Sequence, residues 1–408
     1  MARILLSAYA CEPGRGSEPA VGWNWAIELA RQGHEVTVMT RAANRQAIAE
    51  EMSRRDVGFI YYDLPLWVQR LRSLPGGKRV YYVLWQWCAA RMIRQRFRRL
   101  PFDLVQHVTY VSVRYPSFMG SLGIPFYFGP VSGGETVPVR LRRGCSAGER
   151  FRERLRDLSN RLVAFDPLMR RTFRRATRIL VTPDTLRLLP RDIRHKATQT
   201  LAIGLPSGAP EQRRPDVRST QLRLLYVGRL LEWKGVDIAL RAVALARRQF
   251  PNLSLTILGE GPARTRLERL SRELNLGGSV HWAGWVPHSI VARYYQNSDT
   301  FLFPSLRDSG GMVVLEALAQ GLPVLCTSLG GPGLIVNRSC GRAVVTTRRD
   351  REELARELGR AIVEIAADPD LLSLLSHGAR LRARQYSFEQ LVLSIHPSSI
   401  PSAVESPA

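Results

Sequence analysis

Residues 303–326, FPSLRDSGGMVVLEALAQGLPVLC, run from the end of one strand through an acidic, glycine-containing turn into a helix and then into a second strand. Backbone N–H groups at the start of such a helix point outward and attract anions, and here they belong to residues 309–312. Asp308 lies in the turn and Glu316 about a turn and a half into the helix, so both carboxylates can face a ligand. The alternative is that Asp308 only caps the helix and Glu316 is solvated.

The same alternation of short apolar runs and longer amphipathic segments extends along the chain, which predicts parallel sheets covered by helices. Predicted strands lie at 3–8, 35–40, 58–62, 103–108, 125–128, 178–182, 222–228, 253–258, 280–283, 300–303 and 323–326, and the clearest helices at 21–32, 236–249, 263–275, 288–296 and 313–320. The expected fold class is α/β, with two Rossmann-like domains facing across a cleft where ligands bind beyond the carboxyl ends of strands.

Domain boundaries follow from composition. Residues 204–220, GLPSGAPEQRRPDVRST, lack apolar periodicity and read as a linker between an N-terminal domain, 1–203, and a C-terminal domain, 221–385. Residues 386–408 contain Pro397, Pro401 and Pro407 and little to bury, so we expect a disordered tail.

The net charge of +24 indicates an anionic partner, and 56 of the 59 cations are arginine because only Lys78, Lys196 and Lys234 are lysine. Most of the excess, +18, lies in the first 200 residues. The hydrophobic fraction of 45% is that of a globular protein, which excludes disordered and fibrous classes.

Five scattered cysteines, Cys11, Cys88, Cys145, Cys326 and Cys340, include no C-x-x-C pair, which argues against a disulfide framework or a zinc site. The start, MARILLSAYAC, reads as a buried strand rather than a secretory signal. No apolar run reaches the roughly 18 residues of a spanning helix, so the expected location is cytoplasmic, with peripheral membrane association possible through the charged surface.

A second anion-binding pattern is GRLLEWKG, residues 228–235, in which Arg229 and Lys234 follow a strand that ends in glycine. An arginine fork and a lysine point charge together can neutralise a diphosphate. The alternative, two ordinary surface cations, is weakened by the rarity of lysine in this chain.

Together these segments resemble the family 4 glycosyltransferases, retaining enzymes with the GT-B fold, and in particular a subgroup with DSGG. GRLLEWKG resembles that family's donor-phosphate motif, GEGP at 259–262 its next strand end, VHWAGWV at 280–286 its base-side strand, and DSGGMVVLEALAQGLPVL at 308–325 its E-x7-E region. The resemblance is ordered and nearly continuous over 222–333. The chain departs from the family at Asp308, where glutamate is usual, which shortens the reach of the carboxylate by roughly 1.5 Å.

The resemblance implies a role for each matching residue. Arg229 and Lys234 would bind the donor diphosphate, and Asp308 with the amides of Gly310 and Gly311 would hold the sugar hydroxyls. Glu316 would bind the ribose, while backbone near Trp285 and Val286 would face the base. It further implies retention without a protein nucleophile and without a bound metal or other cofactor, the nucleotide-sugar being a co-substrate.

The N-terminal half carries weaker signals. CEPGRGSEPAVGW, residues 11–23, fits a glycine-bearing loop in which Gly14 and Gly16 allow close backbone approach to the donor and Ser17 or Glu18 touches donor or acceptor; the alternative is a flexible surface loop. His107 lies at the end of the predicted strand 103–108, where the family commonly has a histidine near the reacting sugar, and the resemblance implies a catalytic role for it in stabilising oxocarbenium character. A lone histidine is more often a packing residue. In GPVSGGE, the residues Gly133, Gly134 and Glu135 are expected to line the acceptor side.

Two basic segments are candidate surfaces for binding an anionic partner. Residues 140–178 contain 13 arginines and four acids, and residues 80–99 mix aromatics with cations at helical spacing. Such surfaces suit the headgroup region of an anionic membrane. Solvated helix faces are the alternative.

The expected function is transfer of a sugar from a UDP- or GDP-linked donor to a glycan or lipid-linked acceptor in polysaccharide or glycoconjugate biosynthesis. Two alternatives stay open: a catalytically silent GT-B scaffold, and a basic nucleic-acid-binding protein, which would explain the charge but not the ordered motifs.

Overall fold

Parallel β-strands build two separate sheets in the computed structural model, which describes residues 1–14, 16, 18–51, 57–97, 101–206 and 221–396. The chain divides into two compact units. The first contains Met1–Gly134, Ser159–Ala202 and Phe388–Ala408, and the second contains Glu135–Leu158 and Ile203–Ser387.

The first unit holds a seven-stranded sheet in the order β3-β2-β1-β4-β5-β6-β7. This order places the crossover between β1 and β4, as in Rossmann-like sheets. The strands are β1 (Arg3–Ser7), β2 (Glu35–Thr40), β3 (Val57–Tyr61), β4 (Leu104–His107), β5 (Phe126–Val131), β6 (Arg178–Val181) and β7 (Ala197–Gln199). Helices in the first half of the chain are α1 (Glu18–Arg31), α2 (Arg45–Glu51), α3 (Leu66–Gln69), α4 (Gly77–Arg96), α5 (Ala147–Leu162), α6 (Pro167–Arg175) and α7 (Pro183–Leu186).

The second unit holds a six-stranded parallel sheet in the order β10-β9-β8-β11-β12-β13. Its strands are β8 (Leu222–Val227), β9 (Leu253–Leu258), β10 (Val280–Gly284), β11 (Thr300–Phe303), β12 (Val324–Thr327) and β13 (Gly341–Val344). Its helices are α8 (Val236–Arg247), α9 (Arg264–Glu273), α10 (His288–Gln296), α11 (Met312–Ala319), α12 (Gly330–Ile335), α13 (Arg351–Ala367) and α14 (Pro369–Arg384), and α15 (Phe388–Ile395) follows in the first unit.

The central strands explain why continuous apolar runs predicted this fold. Every residue of β4, β11 and β12 is buried, as expected for parallel strands covered by helices on both faces. The α/β prediction of two Rossmann-like domains is therefore confirmed.

The compact units follow different boundaries from the predicted domains. Glu135–Leu158, which we placed in an N-terminal domain ending at residue 203, groups with the second unit. Of the predicted linker 204–220, residues 207–220 lie outside the described part of the chain.

The prediction of a disordered tail from residue 386 is wrong for α15. Phe388, Val392 and Ile395 recur on one helix face and are buried, and α15 packs against α1. The next residue, His396, is also buried and contacts the Gln106 side chain at 2.7 Å. The tail's prolines come only after this helix, and residues 397–408 lie outside the described range.

Replacing Phe388 with alanine tests whether α15 is part of the folded core. Because the ring is only 1% exposed, we expect Phe388→Ala to lower the free energy of unfolding by about 3–5 kcal/mol. The exposed Leu374→Ala on α14 is the control and should change it by about 0.5 kcal/mol or less. Equal effects in urea denaturation would show that α15 contributes no core packing.

Candidate functional site

Lys234 and Asp308, two of the predicted site residues, form an ion pair in the second unit. Their loops follow β8 and β11, which are neighbours in the sheet, so the carboxyl ends of these parallel strands lie side by side. Lys234 Nζ lies 2.6 Å from Asp308 Oδ2, and the two side chains are only 19% and 16% exposed. The pair therefore joins two loops that are 74 residues apart in sequence.

The other oxygen of Asp308 organises the turn before α11. Oδ1 accepts hydrogen bonds from the amides of Gly310 and Gly311 at 3.2 and 2.9 Å. Gly311 has φ +80°, a left-handed conformation that favours glycine. The carboxylate thus combines the predicted capping contacts with the ion pair to Lys234.

A close approach between loops requires glycine at position 235. Gly235 has φ +70°, and a Cβ there would lie 2.1 Å from the carbonyl oxygen of Pro304. The loop after β8 consequently packs directly on the backbone that leads to Asp308.

Arg229 is exposed and has no side-chain ion pair with any residue in the described part of the chain. The backbone of Arg229 is held by a hydrogen bond, because the Tyr226 hydroxyl donates to the Arg229 carbonyl at 3.2 Å. Burial raises the pKa of Tyr226, and the nearby charge of Asp308 adds to the effect, so the phenol keeps its proton. The guanidinium is left available for an anion.

Glu316 is half-buried on α11 and accepts a hydrogen bond from the Tyr295 hydroxyl at 3.1 Å. Burial raises the pKa of Tyr295 well above its ordinary value, and the Glu316 charge raises it further. Tyr295 therefore orients one carboxylate oxygen of Glu316.

The predicted base-side residues lie past the end of β10, the outer strand beside β9. The Trp285 side chain is 74% exposed, and Val286 is half-buried. Gly284, immediately before them, accepts a hydrogen bond from the amide of Gly259 at 2.7 Å, which ties this end to the GEGP loop. All the predicted donor residues of the second unit thus follow strands of one sheet or lie on α11.

Sequence reasoning missed the residues that support these loops. Arg307, beside Asp308, lies 4.2 Å over the Trp233 ring and forms an ion pair with Glu153 of α5. Glu153 is nearly fully buried and also accepts from the Val137 amide at 3.0 Å. Burial and the charge of Arg156 lower the pKa of Arg307, and Glu153 opposes the change.

Glu232 also connects the loop after β8 to the segment around α5. Its carboxylate accepts a hydrogen bond from the Ser146 amide at 2.6 Å. The sequence carried no signal for this support. Glu149, Glu153 and Asp157 recur every four residues on one side of an otherwise arginine-rich helix, but a stripe of acids ordinarily faces solvent, so it did not predict their burial. Asp157 pairs with Arg142 at 2.6 Å.

In the first unit, His107 ends β4 and is fully buried. Its Nε2 lies 2.9 Å from the Tyr82 hydroxyl, 3.2 Å from the Gln86 amide nitrogen and 3.1 Å from the Thr109 carbonyl. Burial lowers the pKa of His107 to about 4, so the ring is neutral at pH 7. The described contacts are those of a packing residue, and the predicted catalytic role stays a prediction.

The glycine-bearing loop after β1 is open around its glycines. A Cβ at Gly14 or Gly16 would meet nothing within 4 Å, whereas Ser17 lies outside the described residues. Glu18 begins α1 and accepts from the Tyr110 amide at 2.8 Å. Burial raises the pKa of Glu18, and the hydrogen bond from Tyr110 opposes this change.

The predicted acceptor-side glycines pack tightly. A Cβ at Gly133 would lie 2.7 Å from Ser112 Oγ, and one at Gly134 would lie 2.7 Å from Thr185 Cα. Glu135 is buried, and its carbonyl accepts from Arg156 at 2.8 Å within the second unit. The structure therefore assigns Glu135 to a different compact unit from its two glycine neighbours.

Within the described ranges, no group of three or more His, Cys, Asp or Glu side chains is arranged to hold a metal ion. The helices that the structure describes include none both long and apolar enough to cross a membrane.

Comparison with known proteins defines the class and then the family. The Anabaena protein HepE, solved with UDP and glucose, has a TM-score of 0.58 at 15% identity over 97% of this chain and 99% of that one, and the fold is GT-B. Residues 209–365 match the model described as glycosyl transferases group 1, and residues 21–191 match glycosyltransferase family 4. The chain belongs to the family 4 glycosyltransferases.

Two curated relatives show the range of similarity. Glycogen synthase of Mycobacterium tuberculosis is 33% identical over 171 residues, 42% of this chain and 39% of that protein. Alpha-monoglucosyldiacylglycerol synthase of Acholeplasma laidlawii is 23% identical over 390 residues, 88% of this chain and 86% of that protein. The chain spans less than half the length of the first curated relatives that it matches.

Removing the charge of Glu153 tests the support of the site. We expect Glu153→Gln to lower the free energy of unfolding by about 3–5 kcal/mol, because it leaves Arg307 buried and unpaired. Glu352→Gln, which breaks the exposed pair with Arg241, is the matched control and should cost about 1 kcal/mol or less. Similar losses of unfolding free energy for both variants would mean that burial does not make the Glu153–Arg307 pair more important to stability than an exposed pair.

The pKa of His107 predicts a pH dependence. Because the folded state disfavours protonation, its stabilising effect is complete above the unfolded pKa of 6.5 and is lost as the pH falls toward about 4. Between pH 7 and 5 this one group should lower the free energy of unfolding by on the order of 2 kcal/mol. Denaturant titrations should show a shallower pH dependence in His107→Gln; an unchanged dependence would contradict the assignment.

Proposed function

We propose that the protein transfers a hexosyl group from a nucleotide diphosphate sugar to a glycan or lipid-linked acceptor, with retention at the anomeric carbon. The observation that carries this proposal is the Lys234–Asp308 pair at the ends of adjacent parallel strands, together with the exposed Arg229 in the same loop as Lys234. Ligands of open α/β sheets bind at these strand ends. A cationic pair supported by a carboxylate suits a diphosphate next to a polyol.

The donor diphosphate is assigned to Arg229 and Lys234. Asp308 holds Lys234 in place before any ligand arrives, so the ammonium needs little reorganisation to meet phosphate oxygens. Arg229 has greater freedom and adds a planar fork. Both cations then stabilise the negative charge that develops on the diphosphate as it leaves.

The sugar hydroxyls are assigned to Asp308. The amides of Gly310 and Gly311 already donate to its Oδ1, so they act first by orienting the carboxylate rather than by binding sugar directly. The shorter side chain of aspartate is compatible with this role, since the same carboxylate reaches Lys234 and both amides. Glu316, oriented by Tyr295, is assigned to the ribose.

Retention is assigned to reaction on one face of the sugar. The bond from the anomeric carbon to the diphosphate oxygen breaks as the bond to the acceptor oxygen forms, and the acceptor proton passes to the departing phosphate oxygen. Atoms and charge balance without a protein nucleophile, so positioning and charge stabilisation provide the catalysis. We expect no metal or other cofactor.

The class of donor and acceptor is proposed from the relatives. The Anabaena structure contains UDP and glucose, which favours a UDP-sugar donor, with a GDP-sugar as the second choice. The Acholeplasma relative, named for a diacylglycerol glycoside, favours a lipid-linked acceptor at the cytoplasmic face of a membrane. The predicted roles of Gly133, Gly134 and Glu18 toward the acceptor belong to this proposal.

Nucleotide binding by charge variants tests the donor assignment. Calorimetry with UDP, GDP and ADP should find one that binds wild type, and at 100 times its Kd this ligand should stabilise the fold by about 2.7 kcal/mol. Lys234→Ala and Arg229→Ala each remove a charged contact and should weaken binding roughly ten- to hundredfold. The exposed Arg248→Ala is the control and should bind as wild type does.

Three outcomes oppose the proposal. Absence of binding by all three nucleotides to folded protein would favour the catalytically silent scaffold. Equal binding by Lys234→Ala and Arg248→Ala would remove Lys234 from the donor site. If nucleotide binds but wild type neither hydrolyses nor transfers the sugar of any donor, the protein is a nucleotide-sugar binder without transferase activity.

A further inference from the structure

Residues 64–97, here called the interfacial segment, expose a group of large apolar side chains in the first unit. The segment comprises α3, a short 3₁₀ turn at Arg70–Ser73 and α4. Its six exposed apolar side chains are between 37% and 80% accessible: Leu66, Trp67, Leu74, Val80, Leu84 and Trp87. These residues take no part in the buried core.

The two faces of α4 differ in kind. Val80, Leu84 and Trp87 are spaced by four and three residues, so they follow one side of the helix. The residues on the other side are buried: Tyr81, Tyr82, Trp85, Gln86, Ala89, Ala90 and Ile93. The helix therefore has a complete packing face and, in addition, an apolar face turned to solvent.

The charge of the segment has a single sign. Residues 64–97 contain seven cations and neither aspartate nor glutamate. Six of the cations are exposed: Arg70, Lys78, Arg79, Arg91, Arg94 and Arg96. Tryptophan and leucine among arginines match the boundary of a bilayer, where apolar rings enter below the headgroups and cations meet lipid phosphates.

We infer that the interfacial segment docks the protein on an anionic bilayer surface. The charge complementarity selects this occupant, because seven cations in a segment that contains no acid favour acidic lipid headgroups, and the exposed leucines and tryptophans require an apolar phase. Nucleic acid would satisfy the cations but would leave the aliphatic side chains in water. An apolar protein partner would leave the cations unpaired.

The segment is connected directly to the acceptor side proposed above. From the buried face of α4, Tyr82 Oη reaches His107 Nε2 at 2.9 Å and the Thr109 carbonyl at 3.2 Å. Tyr110, the next residue, donates its amide to Glu18. Docking through α4 would hold this loop near lipid headgroups, and this consequence alone rests on the proposed function.

A second helix, α5, also exposes apolar side chains, including Phe151, Leu155 and Leu158. Residues 147–162 carry three acids, however, and two of these, Glu149 and Glu153, are buried against the second unit's own arginines. The acids of α5 are thus used within the second unit, and α5 contains no tryptophan, whereas the interfacial segment exposes Trp67 and Trp87. The exposed tryptophans make the interfacial segment the better match to a bilayer interface, and α5 becomes an arm of the test.

Vesicle co-sedimentation with the full chain tests the inference, with phosphatidylglycerol–phosphatidylethanolamine vesicles against phosphatidylcholine vesicles. Wild type should bind the anionic vesicles, and binding should weaken in high salt. Trp67→Ser/Leu84→Ser/Trp87→Ser should lower the partition coefficient at least about tenfold. The control, Ile290→Ser/Leu374→Ser/Leu381→Ser, alters three exposed apolar residues of the second unit and should change it less than about twofold.

Charge variants measure how much the cations contribute to binding of anionic vesicles. Arg70→Gln, Lys78→Gln and Arg79→Gln should each weaken binding to anionic vesicles by about fivefold and leave binding to phosphatidylcholine unchanged. Circular dichroism and nucleotide binding confirm that each variant is folded. Loss of vesicle binding with retained nucleotide binding isolates the segment, whereas failure of nucleotide binding in wild type concerns only the proposed function.

Several results would overturn the inference. These are absence of wild-type binding, an apolar triple variant that binds as wild type does, or loss of binding in Phe151→Ser/Leu155→Ser/Leu158→Ser instead. A dimer in sedimentation velocity that only the segment variant dissociates would assign this face to a second copy of the chain. Duplex DNA binding that depends on the cations and not on the apolar residues would assign it to nucleic acid.

Discussion

The Lys234–Asp308 ion pair is the constraint on which the described site depends. At 2.6 Å and with little solvent around either group, it holds together the loops that follow two adjacent strands. Asp308 also accepts from two amides in its own turn, and its carbonyl accepts from the Gly331 amide at 2.9 Å. One residue thus contacts the loops after β8, β11 and β12. A neutral side chain at 308 would remove the ion pair to Lys234 and weaken the bonds to the two amides, but the backbone bond to Gly331 would stay.

The arginines of the second unit fall into two groups, those that are buried and paired with an acid and those that are exposed. Arg307 and Arg142 pair with Glu153 and Asp157 of the acidic stripe, and the buried Arg351 pairs with Asp237 at 2.7 Å. These charges serve the fold, because each lies where an unpaired charge would be costly. Arg229 differs from them in being exposed, and it has no ion pair with any residue that the structure describes.

Much of the fold could be predicted because parallel strands are buried on both faces and therefore appear as apolar runs. The strand 35–40 and the strand 300–303 were predicted with their observed bounds. β13 was missed because Gly341 and Arg342 interrupt the apolar signal at a sheet edge. α15 was missed because its three apolar contacts were judged together with the prolines that follow it.

The site was predictable in its parts but not in its connections. Glycine, acid and cation patterns located Lys234, Asp308 and Glu316, since the first two follow strands and the third lies on the helix that begins after Asp308. That Lys234 and Asp308 contact each other depends on strand order, which no local pattern encodes. The support from Glu153 depends on how a distant helix packs, and the burial of His107 depends on Tyr82 and Gln86 in α4.

The division between buried, paired arginines and exposed cations explains where the net positive charge lies. A fold that needs an arginine provides an acid for it, as α5 does for Arg307 and Arg142. Between residues 64 and 97 the sequence contains no acid, and the buried face of α4 consists of uncharged side chains. The cations there are not required by the core, and their self-repulsion is a cost that the fold itself does not recover. A surface that combines this cost with exposed tryptophan and leucine becomes favourable when an anionic, partly apolar phase covers it.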